Sequence, residues 1–422
     1  MRICVVGGGS TYTPELVDGL VRRHATLPVG ELVLHDTDAD RLAVLAGMAG
    51  RMLATADSGV ALHATTDLDA AVDSAQAVLV QLRVGGQDAR VSDEEFPLAC
   101  GCVGQETTGA GGLAKALRTV PVVLDVAETV RRRAPDAWIV DFTNPVGIVT
   151  RALLDVGHRA VGLCNVAIGF RRWFAELLGV DSGAVRLGHV GLNHLTWERS
   201  VVVDGSDRLP GLLADHRDAI AARVELPPDL LTLLGSVPSY YLRYFYEHDR
   251  VVAEQRTAPS RAERVREIER DLLTTYADPT VSSPPPLLAE RGGAHYSDAA
   301  LDLATRLVGS GRDTPEVQVV DVRNDGTLPF LPDAAVVEVP CRVDPSGAHP
   351  LPVDPLPPDL AGLIAHVAAY EGLAVEAALR GGRDRVVTAL LAHPLVGQYD
   401  LAERLADDLI ARNADLLPWS RA

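Results

Sequence analysis

Through the first 170 residues, short runs of consecutive apolar side chains alternate with stretches whose apolar positions recur every three or four residues. That alternation predicts buried strands separated by amphipathic helices. Residues 2–6 form the first run, Gly7 to Gly9 a tight turn, and Thr13-Pro14-Glu15 a helix start, with Thr13 as cap and proline at the first helical position. A second run, 31–36, ends in an acid, Asp36, and a helical pattern covers 40–53. Further runs at 77–82, 137–142 and 160–163 are separated by helical patterns at 113–132 and 146–156. Strands and helices in this order imply an α/β fold with a parallel, doubly wound sheet, and the opening strand, glycine turn and helix make it Rossmann-like.

Beyond residue 170 the alternation weakens. Two β-rich stretches, 185–204 and 317–344, and two long helical patterns, 259–276 and 359–380, predict a mixed α/β C-terminal domain. A chain of 422 residues exceeds a single core, so the expected division is 1–170 and 171–422. The boundary is soft, because the segment holding His194 must fold back over the N-terminal crevice.

Composition narrows the class. A net charge of -18 argues against a broad nucleic-acid surface, which needs clustered cations. The cysteines, at 4, 100, 102, 164 and 341, are odd in number and lack the two-residue gap of a redox or zinc knuckle, which fits a reducing cytoplasm. No secretory h-region and no membrane span is read from the sequence, so a cytoplasmic protein is expected. Lys115 is the only lysine; the other cations are arginines, suited to gripping carboxylate or phosphate through two parallel hydrogen bonds.

Candidate chemistry collects at strand ends. Gly7, Gly9 and Ser10 supply a turn where a pyrophosphate meets a helix N-terminus, and Asp36 is placed for a ribose hydroxyl. The glycine fingerprint is incomplete, with Tyr12 at its third glycine, and taken alone it is an ordinary turn. Thr143 and Asn144 close another strand and should face the crevice, while the glycine-rich loop at 104–112, with Glu106 in it, is placed to close over ligands or to be plain surface. Cys164 follows the last N-terminal strand, and Gly191-Leu192-Asn193-His194 offers an imidazole. Singly these read as a buried thiol and a core histidine; together they suggest a metal site that ligand oxygens must complete. Aromatics concentrate at 240–246, where core packing is the default reading. Arg90 and Arg261 lie in charge-rich surroundings that usually mean a solvated face.

These motifs, in order, resemble glycoside hydrolase family 4, the NAD- and manganese-dependent glycosidases, in its 6-phospho-β-glucosidase branch. The likeness rests on VGGGSTYTPEL at 6–16, GQETTG at 104–109, DFTNPVG at 141–147, GLCNVAIG at 162–169, GLNH at 191–194, YLRYFY at 241–246 and RGGAHYS at 291–297. It implies a hydrolase of carbohydrate metabolism that acts without the usual carboxylate pair. NAD+ removes hydride from C3 of the sugar, a base takes the acidified C2 proton, the C1 glycosidic oxygen leaves, water adds and hydride returns. By the same resemblance Cys164 and His194 bind a divalent metal, Tyr241 is the C2 base, Glu106 lies near the reacting centre, Thr143 and Asn144 touch the cofactor, Arg90 and Arg261 hold the sugar phosphate, and Asn144 and Asn165 hold sugar hydroxyls. Softness alone would suggest zinc for a thiolate site, so manganese comes from the resemblance. Asn165 stands where α-specific relatives carry an aspartic acid, which favours a β-linked substrate; Ala167 departs from the proline of many relatives. The implied partner is a phosphorylated disaccharide or β-glucoside, and the implied assembly a homodimer or homotetramer. A lactate- or malate-type dehydrogenase explains the glycine loop and Asp36 but leaves Cys164 and His194 without a role. A non-catalytic nucleotide sensor is the third class, with tight NAD binding and no metal dependence.

Overall fold

The computed structural model describes residues 1–292, 296–309 and 316–421. Among the described residues, thirteen strands form one sheet. They are β1 (Arg2–Val6), β2 (Glu31–His35), β3 (Ala61–Thr65), β4 (Ala77–Val80), β5 (Trp138–Asp141), β6 (Ala160–Gly162), β7 (Arg186–Leu192), β8 (Leu195–Val203), β9 (Ser206–Asp207), β10 (Val237–Pro238), β11 (Glu316–Arg323), β12 (Val336–Asp344) and β13 (Gly347–Pro350). Strands β3, β2, β1, β4, β5 and β6 are neighbours in that order and all parallel, the doubly wound arrangement expected from the sequence. Their apolar runs are continuous because both faces are covered: every residue of β4 and β5 is buried.

The sheet does not end at residue 170. β11 pairs antiparallel with β6 through Asp321 and Gly162, and β12, β7, β8 and β10 extend the sheet beyond it. The second half therefore shares one sheet with the first, and the β7–β8 hairpin that carries His194 is anchored to it by the pairing of Gly191 with Glu338.

The Pro358–Arg380 helix has the length and mean hydropathy, 1.3, to cross a membrane, although no span was read from the sequence; half of that stretch is buried inside the fold. Leu360, Ile364 and Val367 are among its buried residues, and the helix packs against the Gly109–Arg133 helix. A core helix explains the composition here.

Candidate active site

A cleft of about 1100 Å3 opens beyond the carboxyl ends of the parallel strands. At one end is the turn after β1. Gly7 has φ +93°, and a Cβ on it would lie 2.6 Å from the Gln81 carbonyl oxygen, so only glycine lets the turn settle on β4. A Cβ on Gly9 would come within 2.7 Å of Asp36 Oδ2. That carboxylate accepts the Gly9 N–H at 2.9 Å and the Asp38 N–H at 3.1 Å, which pins it beside the loop. Gly7, Gly9, Ser10 and Asp36 all line the cleft. Thr13 is not the helix cap: the helix begins at Thr13, and its hydroxyl donates to the Gly8 carbonyl at 2.8 Å, bracing the loop from beneath.

At the other end Glu106, buried, meets three cations. Lys115 Nζ donates to it at 2.6 Å, Arg90 Nε lies 3.2 Å away, and Arg83 closes the cluster. Burial alone would raise this carboxyl, but Arg83, Arg90 and Lys115 together hold it well below the usual carboxylate range. Arg90 Nε also donates to Glu94 at 2.9 Å, and the second oxygen of Glu94 accepts the Ala262 N–H at 2.8 Å. Glu94 thereby ties Arg90 to the first turn of the Arg261–Ala277 helix, whose Ser260 and Glu263 form a capping box. Arg261, exposed, and Arg90, half-buried, consequently line the same cleft.

The floor carries the remaining candidates. The Tyr241 ring stacks on His194, centroids 3.8 Å apart. Burial pushes the Tyr241 phenol up, with Cys164 and Glu106 adding to the effect and Arg90 opposing it. Cys164 and His194 are buried beneath the cleft rather than on its wall, and Tyr241 is their shared neighbour. Tyr296, whose hydroxyl lies 3.9 Å from Cys164 Sγ, covers the thiol. Asn144 and Asn165 line the cleft; Thr143 does not. Its hydroxyl donates to the Val80 carbonyl at 3.1 Å and accepts the Leu82 N–H at 3.0 Å, which staples β5 to β4 and leaves Asn144 to face the ligand space.

His194 Nδ1 is hydrogen-bonded to the Thr107 hydroxyl at 2.9 Å, and burial lowers the imidazole to about 3, so it is neutral. Its Nε2 and Asn144 Oδ1 are buried with no hydrogen-bond partner among the described residues. A neutral imidazole with one nitrogen fixed and the other buried and unpartnered among the described residues fits a divalent metal. Among the described residues no three His, Cys, Asp or Glu side chains group as a ligand set, so exogenous oxygens would have to complete the shell.

Sequence reasoning missed several participants. Arg83 carried no signal, and Lys115 was notable only as the lone lysine. Tyr296 lies in the RGGAHYS stretch, of which Gly293, Ala294 and His295 fall outside the described residues. A second charge cluster was also invisible: Glu269 accepts Arg291 at 2.6 Å and Arg41 at 3.0 Å, while Arg41 Nε donates to the Gly9 carbonyl at 2.6 Å.

Fold and cleft together define a dinucleotide-type α/β enzyme with a buried thiol–imidazole floor and a basic far end. The chain belongs to the family 4 glycosyl hydrolases: the family's description matches residues 2–180, and that of its C-terminal domain residues 189–396. It is 36% identical to a probable 6-phospho-beta-glucosidase of Bacillus subtilis, over 99% of this chain and 97% of that protein. The solved 6-phospho-beta glucosidase of Thermotoga maritima, with NAD and glucose-6-phosphate, superposes with a TM-score of 0.92 at 33% identity, covering 99% of both chains. Another structure of that enzyme contains manganese, NAD+ and glucose-6-phosphate, with a TM-score of 0.92, 32% identity and 99% of both chains covered. A malate dehydrogenase from Salinibacter ruber shares only the fold, with a TM-score of 0.55, 16% identity and 91% of this chain and 99% of that one covered; the dehydrogenase alternative is not favoured.

Proposed function

We propose that this glycosidase hydrolyses 6-phospho-β-glucosides using NAD and a divalent metal ion, manganese foremost. The observation that carries this reading is that Arg90, Arg261 and Tyr241 line one cleft with Gly7 and Gly9 of the turn after β1. Gly7, Gly9 and Ser10 would cradle the pyrophosphate and Asp36 the ribose; Cys164 and His194 would hold the metal. When bound, NAD+ supplies the hydride acceptor for C3, and the metal supplies Lewis-acid polarisation of the sugar oxygens and the positive field that a buried phenol needs to ionise. Arg90 and Arg261 fix the 6-phosphate, and Asn144 and Asn165 orient the sugar hydroxyls. Tyr241 takes the C2 proton, with Glu106 beside it. Asn165, an amide, offers no acid to an α-linked leaving group, which favours the β anomer.

In this reading residues 1–170 carry the cofactor together with Arg90, Asn144, Cys164 and Asn165, and 171–422 add His194, Tyr241, Arg261 and the oligomer contacts of a homodimer or homotetramer. The protein is expected in the cytoplasm.

The test is incubation with p-nitrophenyl 6-phospho-β-glucoside, NAD+ and Mn2+, beside the unphosphorylated and the α-linked compounds. Release from the phosphorylated β-glucoside alone supports the reading. Absence of release from all three overturns it.

A further inference from the structure

The Gly191–His194 turn is held from below by a chain of buried polar groups. His189 Nδ1 lies 2.6 Å from Glu198 Oε1 and its Nε2 lies 2.9 Å from Glu338 Oε1. Carboxylates only accept, so both ring nitrogens must donate and His189 is an imidazolium. All three side chains are buried, with at most 1% exposure. Burial works against that charge, but Glu198 and Glu338 raise the imidazole to about 10. The other oxygen of Glu338 accepts Asn193 Nδ2 at 3.1 Å. Asn193 directly precedes His194, whose backbone is left-handed at φ +63°, a conformation that an L residue other than glycine keeps only when its surroundings hold it.

Each member has a fixed seat in the sheet. His189 opposes Glu198 across β7 and β8, and Glu338 on β12 opposes Gly191 on β7. The side chain of the left-handed residue is then fixed from the far side by Thr107. Nothing in the proposed reaction needs a buried imidazolium between two glutamates here. A network fixing a strained turn explains why charged groups are kept in the core.

We propose that Glu198, His189, Glu338 and Asn193 form a positioning relay that holds the His194 turn in its metal-binding conformation, so that Asn193 and Glu338 set metal affinity without touching the metal. This rests on the reading of Cys164 and His194 as metal ligands.

Asn193→Ala cuts the last link at a partly exposed hairpin turn, and Asn193→Asp replaces the donor by a carboxylate facing Glu338. Mn2+ binding is measured from the free-ion electron paramagnetic resonance signal, with NAD+ binding by calorimetry and the melting temperature alongside. The expected result is a Mn2+ Kd about 10- to 100-fold weaker in both variants, with the NAD+ Kd within about twofold of the parent. Glu338→Gln, which keeps volume but presents a donor to one of its two donor partners, should give a loss of the same order. A Mn2+ Kd unchanged in the Asn193 variants overturns the relay, as does equal loss of Mn2+ and NAD+ binding, which marks a merely structural role. A parent protein that binds NAD+ but no Mn2+ overturns the ligand reading itself, and the relay with it.

Discussion

Tyr241 lies almost flat on His194, with ring centroids 3.8 Å apart and 19° between the planes. The stack fixes the phenol above the imidazole and leaves the hydroxyl as its only reactive feature. Tyr241→Phe preserves the stack and removes that hydroxyl. Exchange of the C2 proton of the substrate with deuterated water, followed by NMR, should fall by about 10²–10⁴-fold while NAD+ binding is unchanged. Exchange at the parent rate would exclude Tyr241 as the base.

Glu106 is the counter-charge of Arg83, Arg90 and Lys115 in a buried place. Glu106→Gln keeps the shape and leaves three cations facing one another. Removing one partner of a buried ion cluster costs about 3–5 kcal/mol, so the urea midpoint should drop by a corresponding amount. An unshifted midpoint would mean that water already screens the cluster.

Gly9→Ala places a methyl group 2.7 Å from Asp36 Oδ2 and must push the carboxylate out of its bond to the Gly9 N–H. NAD+ affinity should weaken by about tenfold or more, the equivalent of about 1.4 kcal/mol, with the Mn2+ Kd unmoved. Calorimetric titration of each ligand checks both halves of the statement.

Glu269 sets a pH limit on the fold. Burial favours its neutral form, but Arg291 and Arg41 hold the carboxyl down at about 2, against 4.5 for an ordinary glutamate. A depressed acid stabilises the native state at pH values above the unfolded one, and the contribution is lost as pH falls from about 4.5 through about 2. Its size is on the order of 3 kcal/mol. Glu269→Gln should lower stability at pH 7 and flatten its fall between pH 4.5 and 2, as read from urea unfolding at each pH. An equally steep fall in the variant would assign the acid sensitivity to other carboxylates.

Arg261 is exposed at the rim, and its Nη2 donates to the Glu290 carbonyl at 2.7 Å. Arg261→Ala should leave stability within about 0.5 kcal/mol. Loss of one charged hydrogen bond to phosphate, about 1.5–3 kcal/mol, should lower kcat/KM for the phosphorylated glucoside by about 10- to 100-fold. NAD+ affinity should be unaffected, and an unchanged kcat/KM would remove the phosphate contact from Arg261.

The N-terminal half was legible because its signals are local. The runs at 2–6, 77–82 and 137–142 contain little else but apolar residues, their strands are buried at 3–6, 77–80 and 138–141, and the glycine turn announces its own backbone. Thr143 was misplaced for an equally local reason. A polar residue at a strand end reads as facing the crevice, and only the neighbouring strand reveals that its hydroxyl is consumed by Val80 and Leu82.

By itself the sequence determined the alternation of strand and helix, the parallel doubly wound half and the order of the motifs, because apolar periodicity and turn chemistry act over a few residues. The tertiary structure decided what those motifs meet. It carried one sheet across from β6 to β11, set Arg90 beside Arg261 through Glu94, gathered Arg83 and Lys115 onto Glu106, and placed Tyr241 on His194. Each of these brings together residues from different elements or loops. Their strength comes from burial and low dielectric, properties that no residue possesses until the rest of the fold has closed around it.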